Sequence, residues 1–317
     1  MHKPPVSALS QAADMLKNKD GTPIFKTTRH LIARTHVRHV GDTVAMVVAE
    51  TEAQARDAAE LIIIDYDDLP AVADTAGAIA DGAPVIWEEH GSNLAYDWET
   101  GDAAKVEEGL KAAHHVTRLK LVNNRIVVNA MEPRAELGHY EADRDHYTLY
   151  TGSQGVHLMR NYIAQFSLNI PVEKLRVITE DVGGGFGMKT FVYPEYPLVL
   201  YASKLIGRPV KWTADRSDSF VTDSQGRDHV SEAAVALDKD GRILAVQVST
   251  IANLGAYQSQ FGPFIPSLAP RGMHVGVYMV PAMHNRVRAV YTNTVPVDAY
   301  RGAGRPEASY VIERLME

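Results

Sequence analysis

Cysteine is absent from the 317 residues. No disulfide, thiolate zinc site or cysteine-ligated iron–sulfur cluster can form within this chain. Electrons released by any redox reaction here must therefore leave through another polypeptide. Long apolar runs are missing too, and no window suffices to span a bilayer. The opening Met1-His2-Lys3-Pro4-Pro5 lacks an apolar stretch of secretory type, which points to the cytoplasm. Positive charge is in deficit: the net charge of -7 argues against a nucleic-acid partner held through its phosphates. The 13 histidines, His114, His115 and His229 among them, show no HxxxH or HExxH spacing. They read as ordinary surface or core residues.

What the chain does have is bare backbone. Asp181-Val182-Gly183-Gly184-Gly185-Phe186-Gly187-Met188-Lys189-Thr190 places four glycines in five residues. Such a stretch lets a ligand approach the main chain closely. The β-branched run 175–179 before it reads as a strand, and 193–206 after it as a helix. A strand, a bare loop and a helix start together make an anion site, because free N–H groups and the helix dipole point at the ligand. Lys189-Thr190 matches the end of a Walker A loop, but Met188 stands where its last glycine belongs. A dinucleotide fingerprint starting at Gly183 fails at the same residue. A tight turn without a ligand is the plain alternative.

A second loop reads Asp298-Ala299-Tyr300-Arg301-Gly302-Ala303-Gly304-Arg305-Pro306-Glu307. It follows a strand-like 287–295 and precedes helical spacing over 308–316. Arginine forks suit phosphate or a metal-bound oxo group, because they donate two parallel hydrogen bonds and stay charged. A solvated residue or a salt bridge is the alternative for either arginine.

Together the two loops resemble the signatures of the molybdenum hydroxylases, the xanthine dehydrogenase and aldehyde oxidase family. Met131-Glu132-Pro133-Arg134, Thr151-Gly152-Ser153-Gln154-Gly155-Val156-His157 and Pro209-Val210-Lys211-Trp212 are further matches, in the family's order. Val37-Arg38-His39-Val40-Gly41-Asp42-Thr43-Val44-Ala45 resembles the small α/β hammerhead domain that precedes the molybdenum region. The resemblance implies an α+β chain. Residues 1–97 form a partial α/β hammerhead domain with its connector, and 98–317 the first half of the molybdopterin-binding region, mixed sheets with flanking helices.

The pattern along the chain fits that division. Residues 42–50 read as a strand and 51–61 as a helix capped by Thr51, with Ala55, Ala58 and Leu61 on one face. Residues 62–66 read as a second strand, and 73–91 as a connector. Short strands are expected over 116–121, 126–129 and 146–151, and a helix over 155–166. Residues 230–237 and 243–251 alternate around Asp238-Lys239-Asp240-Gly241, a hairpin.

The family carries out hydroxylation with water-derived oxygen. The resemblance therefore implies a molybdenum cofactor, molybdopterin in its cytosine dinucleotide form, with the metal held through the pterin and by no side chain. Gln154 is expected to approach the cofactor, with Gly185, Phe186 and Gly187 offering backbone N–H groups, and Arg301 to contact it from the second loop. Arg227, Thr190, Gly302 and Ala303 are expected around the substrate; a surface salt bridge is the alternative for Arg227. The iron–sulfur and FAD centres are expected on small and medium partner subunits. The base glutamate is expected in a second half of the molybdenum region, on a longer chain or another subunit, so no catalytic residue is assigned here. Copper-using carbon monoxide dehydrogenases carry a cysteine near the active-site loops, and purine hydroxylases a pocket glutamate. Neither has a counterpart here, and the chain is most similar to the copper-free class labelled carbon monoxide dehydrogenase large subunit. An aldehyde or N-heterocycle is the expected small-molecule substrate.

Two other readings stay open: a non-catalytic cofactor-handling or assembly fragment of the same fold, and an unrelated nucleotide-binding protein using Lys189-Thr190. Oligomerisation is expected, or else a large apolar patch near the Arg301 loop and the final helix that the second half would cover. By itself the chain is expected to hold no stoichiometric molybdenum and to be inactive, because groups of one site act as a unit. Metal analysis and an aldehyde assay on the purified chain check this, and any turnover refutes it.

Overall fold

The computed structural model describes residues 15–317. In chain order the elements are α1 (Glu52–Glu60), β1 (Leu94–Gly101), α2 (Ala103–Ala112), β2 (His115–Asn123), β3 (Ala135–Glu141), β4 (His146–Thr151), α3 (Val156–Tyr162), β5 (Leu175–Ile178), α4 (Glu195–Ile206), β6 (Val210–Thr213), α5 (Arg216–Thr222), β7 (His229–Leu237), β8 (Ile243–Asn253), β9 (Met283–Val290) and α6 (Arg305–Met316). They fall into two compact units that interleave in sequence. Among the described residues the first unit holds Thr28–Pro70 and Asn129–Asp223. The second holds Ala71–Val128, Ser224–Glu317 and the described end of Leu9–Thr27. The position 97/98 lies inside β1, and the compact units interleave across it. The reading of residues 1–5 lies outside the described residues.

The first unit is built on a mixed sheet of order β5-β4-β3-β6. Its only parallel pair is β4 with β5, and the helical connection between them makes that possible. That connection is α3, expected as a helix over 155–166, which continues as a π-helix over Ile163–Leu168. Helix α4 lies on β3 at close range: a Cβ on Gly138 would sit 2.7 Å from the Leu200 nitrogen. Beneath α4 is a buried ionic cluster. Arg134 donates to Asp223 at 2.6 Å, to Glu195 at 3.1 Å and to Thr222 at 2.9 Å, and lies 3.8 Å from the Tyr193 ring centroid. The neighbouring Glu136 is buried with neither carboxyl oxygen hydrogen-bonded. Burial, and then the Glu195 charge, push its carboxyl well above the usual range, so it is neutral.

The hammerhead portion departs from its expected pattern. Helix α1 forms as read, with Thr51 and Gln54 closing a capping box. Its apolar face, however, buries nothing. Residues 42–50 and 62–66 are not strands in the structure. A strand needs a ladder of partners for its main-chain groups, and here the Ala33 nitrogen donates to the Thr43 carbonyl at 2.7 Å without a ladder forming among the described residues. Leu61 is 80% exposed and Ile63 is 90% exposed. Near the final helix, Val311, Ile312 and Leu315 of α6 are buried, while Val277 and Met279, on either side of the Tyr278 that packs against them, are 93% and 92% exposed, as the expected patch requires.

The second unit carries a five-stranded sheet of order β1-β9-β8-β7-β2, antiparallel except for β8 with β9. The expected hairpin is β7–β8, with Asp238 accepting from the Asp240 and Arg242 nitrogens and Gly241 at φ 78. Helix α6 covers β7 and β8 through Val311, Ile312 and Leu315. Trp87, Tyr96, Trp98, Tyr257 and Tyr291 fill a second core on the same unit. Residues 126–129, expected as a strand, contribute one bridge, Ile126 to Gly226, and Asn129 turns left-handed at φ 51. No helix among the described residues is long and apolar enough to cross a membrane.

Two stability predictions follow from the buried charges. Arg134→Met strands Asp223 and Glu195 without their cation and should cost about 3–5 kcal/mol. Urea unfolding monitored at the tryptophans measures it, and a loss under about 1 kcal/mol contradicts the cluster's role. In the second unit, burial and then His229 push His274 down to about 4. An unfolded histidine binds its proton near ~6.5. The unfolded chain therefore binds more protons between these values, so this contribution is whole above the upper one and lost as pH falls toward 4. The difference in melting temperature between wild type and His274→Leu should change with pH in that window and level off above it.

Candidate functional site

The glycine loop belongs to the first unit. It leaves β5, runs through residues 179–187 and ends in a single 3-10 turn, Met188–Thr190. Helix α4 begins only at Glu195, and that first-turn carboxylate is already held by Arg134. The expected helix-start anion site is therefore absent, and the loop itself offers the donors.

Two side chains fix the loop from outside. The Gly183 nitrogen donates to Glu132 Oε2 at 2.9 Å, and Lys189 Nζ donates to the same oxygen. The Gly187 nitrogen donates to Gln154 Oε1 at 2.8 Å, and the Gln154 nitrogen donates to the Lys189 carbonyl at 3.1 Å. Gly187 thus offers its N–H to Gln154 and not outward, contrary to the sequence expectation. Among the described residues the Gly184 and Gly185 N–H groups have no acceptor. The fit leaves no room for side chains: a Cβ on Gly185 would lie 2.4 Å from Gln154 Oε1, and one on Gly183 2.5 Å from Glu132 Cβ. Phe186, at φ 52, is 44% exposed, a costly conformation for a residue that contributes no buried core. Thr190 is half-buried, and its nitrogen donates to the Gly187 carbonyl at 3.0 Å.

Lys189 is fully buried and paired with Glu132. A Walker A lysine must reach a phosphate, so the nucleotide reading of Lys189-Thr190 fails on geometry as well as on Met188. The Lys189 ammonium is also the main cause of the lowered Glu132 pKa, so Glu132 is an anion that accepts from two donors.

The arginine loop belongs to the second unit. Strand β9 ends at Val290, short of the expected 295. Asp298 is buried, accepting from the Phe261 and Ala299 nitrogens, and burial pushes its carboxyl up to about 6. Gly302, Ala303 and Gly304 are all left-handed, at φ 99, 48 and 86. A Cβ on Gly304 would strike the Ile265 carbonyl oxygen at 2.0 Å. Arg301 is exposed. Arg305 donates to the Gly302 carbonyl at 3.2 Å and not to Glu307. The expected substrate arginine, Arg227, is buried in the same unit with its guanidinium committed. It donates to the Tyr300 carbonyl at 3.0 Å, to the Arg301 carbonyl at 2.9 Å and to Glu307 at 2.9 Å.

Sequence reading placed the loops but missed their fasteners, Glu132, Lys189 and Glu307. Each lay inside a quoted motif, yet only the fold shows which backbone atom it reaches. No cluster of three metal-ligating side chains occurs among the described residues. The bare backbone of the first unit's loop, with the Gly184 and Gly185 N–H groups unbonded among the described residues, fits an anionic group.

Comparison with known proteins accords with this chemistry. Residues 86–317 match the molybdopterin cofactor-binding domain, and residues 2–70 match the aldehyde oxidase and xanthine dehydrogenase a/b hammerhead domain. The chain is 34% identical over 287 residues to the 6-hydroxypseudooxynicotine dehydrogenase complex subunit gamma of Paenarthrobacter nicotinovorans, covering 90% of this chain and 35% of that protein. It is 33% identical over 291 residues to the carbon monoxide dehydrogenase large chain of Hydrogenophaga pseudoflava, covering 86% of this chain and 36% of that one. The crystal structure of quinoline 2-oxidoreductase from Pseudomonas putida 86 superimposes with a TM-score of 0.83 at 32% identity, over 91% of this chain and 38% of that chain. The chain therefore spans little more than a third of the length of these relatives. With the cofactor-domain match covering most of its residues, the chain belongs to the molybdopterin-binding large subunits of the molybdenum hydroxylases, the carbon monoxide, xanthine and aldehyde dehydrogenase family.

Proposed function

We propose that this chain is the part of a molybdenum hydroxylase large subunit that grips the molybdenum cofactor, in its cytosine dinucleotide form. The enzyme hydroxylates an N-heterocycle or an aldehyde with oxygen taken from water. When bound, the cofactor supplies the oxygen-transfer and two-electron redox chemistry. This chain's residues bind and orient it. The observation that carries the reading is the glycine loop held open at both ends, by Glu132 at Gly183 and by Gln154 at Gly187, with two N–H groups left unpaired between them. Fixed donors of that kind stabilise anionic groups without reorganising.

In this reading Gln154, Gly185, Phe186 and Gly187 approach the cofactor from the first loop, with Gly187 acting through the Gln154 amide. Arg301 meets an anionic face from the second loop, and Thr190, Gly302 and Ala303 border the substrate. The relatives' names favour an N-heterocycle, since quinoline 2-oxidoreductase acts on one. With no cysteine in the chain, the electrons leave to iron–sulfur and FAD partner subunits, and the proton-abstracting glutamate lies on the remainder of the large subunit.

Two substitutions test the reading in enzyme assembled with the remaining large-subunit residues and both partner subunits. Gly185→Ala pushes its new methyl against the Gln154 amide; Gly185 has no positive φ, so backbone strain is not added. The melting temperature should stay near wild type while molybdenum content falls at least about tenfold, the scale of losing groups that support a metal site. Arg301→Ala should cost roughly 2–4 kcal/mol of transition-state stabilisation. Lysine should not rescue it fully, because a point charge cannot replace a planar fork. Metal analysis and kcat decide. Full molybdenum with near-normal kcat in both variants sinks the proposal.

A further inference from the structure

We propose that Arg227 is a positioning residue: it sets the backbone of the Arg301 loop, and with it the presentation of the Arg301 side chain, and does not contact substrate. The four residues Gln225-Gly226-Arg227-Asp228 form a cradle for that loop. The Gln225 nitrogen donates to the Pro296 carbonyl at 3.0 Å, and the Asp298 nitrogen donates back to the Gln225 carbonyl at 2.8 Å. Gly226 is bare because Tyr300 packs on it: a Cβ there would lie 2.3 Å from Tyr300 Cβ. Arg227 and Asp228 are consecutive left-handed residues, at φ 66 and 69, and neither is glycine. Such strain persists only where the surroundings over-determine it.

Both strained side chains are held by several partners. Asp228 accepts from Arg125 at 2.7 Å, from Asn253 at 3.0 Å and from Thr75 at 2.5 Å. This fixes the corner. Arg227 then spreads one guanidinium over two successive loop carbonyls, Tyr300 and Arg301, and the Glu307 carboxylate. Its guanidinium carbon also lies 4.9 Å from the Tyr300 ring centroid. The Tyr300 carbonyl accepts a second bond, from the Ala303 nitrogen at 2.8 Å. That bond closes the turn in which Gly302, Ala303 and Gly304 are left-handed. With both carbonyls drawn to a buried cation, the Arg301 side chain is left exposed. Glu307 anchors the same fork from the first turn of α6, so loop and helix are held by one group. The three bonds leave two separate nitrogens of one rigid plane; the three donors of an ammonium diverge from a single atom on a flexible stem and do not reproduce that spacing.

The kinetic part of the test rests on the cofactor reading above; the exchange part does not. In the 317-residue chain, amide hydrogen exchange at Ala303 and its loop neighbours should quicken at least tenfold in Arg227→Lys, while β7 and the later turns of α6 keep their protection. Where Arg227→Lys unfolds too far to read, the double variant Arg227→Met with Glu307→Leu replaces the buried pair by apolar groups and should recover the melting temperature. Loop protection should not return with it. In the assembled enzyme, Arg227→Lys should lower kcat about a hundredfold with KM for substrate unchanged, the effect of displacing a reacting group by about an ångström. Unchanged loop protection in Arg227→Lys overturns the proposal, as does a raised KM at constant kcat, which marks a substrate contact. Faster loop exchange in a chain whose assembled wild type holds no molybdenum still supports the cradle while removing the cofactor function.

Discussion

A loop stripped of side chains cannot hold its own shape, and both candidate loops depend on charged or amide groups reaching in from elsewhere in their unit. Glycine makes close approach possible and at the same time enlarges the set of conformations the free chain samples. Something must then select one. In the first unit the selection is made by the Glu132 carboxylate and the Gln154 amide, each binding one N–H at either end of the bare stretch. In the second it is made by the Arg227 guanidinium, which binds carbonyls. The chemistry is complementary: acceptors clamp a loop that must present donors, and a donor clamps a loop whose side chain is the presented group.

The short motif Met131-Glu132-Pro133-Arg134 shows how compactly such a clamp is encoded. Glu132 holds the glycine loop, and Arg134, two residues on, holds the first turn of α4 through Glu195. The proline between them fixes one backbone angle and cannot donate a hydrogen bond. The residues before and after the 3-10 turn are thereby tied to one rigid tripeptide. The cost is a buried cation among three carboxyls, Asp223, Glu195 and Glu136. One of these, Glu136, is relieved of charge by its raised pKa.

Much of the fold was legible in the sequence, and the failures share a cause. The β7–β8 hairpin, α4 and β5 were readable because period, turn residues and length agree within one local segment. Residues 42–50 and 62–66 have the same strand-like pattern, yet no ladder forms along them among the described residues, and pattern alone does not supply one. The compact units were not legible for a related reason: they are made of segments distant in sequence, and β1 pairs with β9, almost two hundred residues away. Of the candidate site, the two loops and the proposed residues Gln154, Phe186 and Arg301 were visible as motifs. Which N–H remains unpaired was not visible, because it depends on a side chain about thirty residues upstream.

The same distinction explains why two arginines of similar appearance have different tasks. Arg227 and Arg301 both stand beside glycine in short, turn-like segments, and composition gives no reason to separate them. Burial does. A guanidinium with little access to solvent must satisfy its donors internally, and the supply around Arg227 is two main-chain carbonyls and one carboxylate. Once committed there, it has little capacity left for a ligand. Arg301, by contrast, is exposed, and its own carbonyl is one of the two that Arg227 holds. In the proposed site the work is therefore divided between an exposed group and a buried group of the same kind that fixes its backbone.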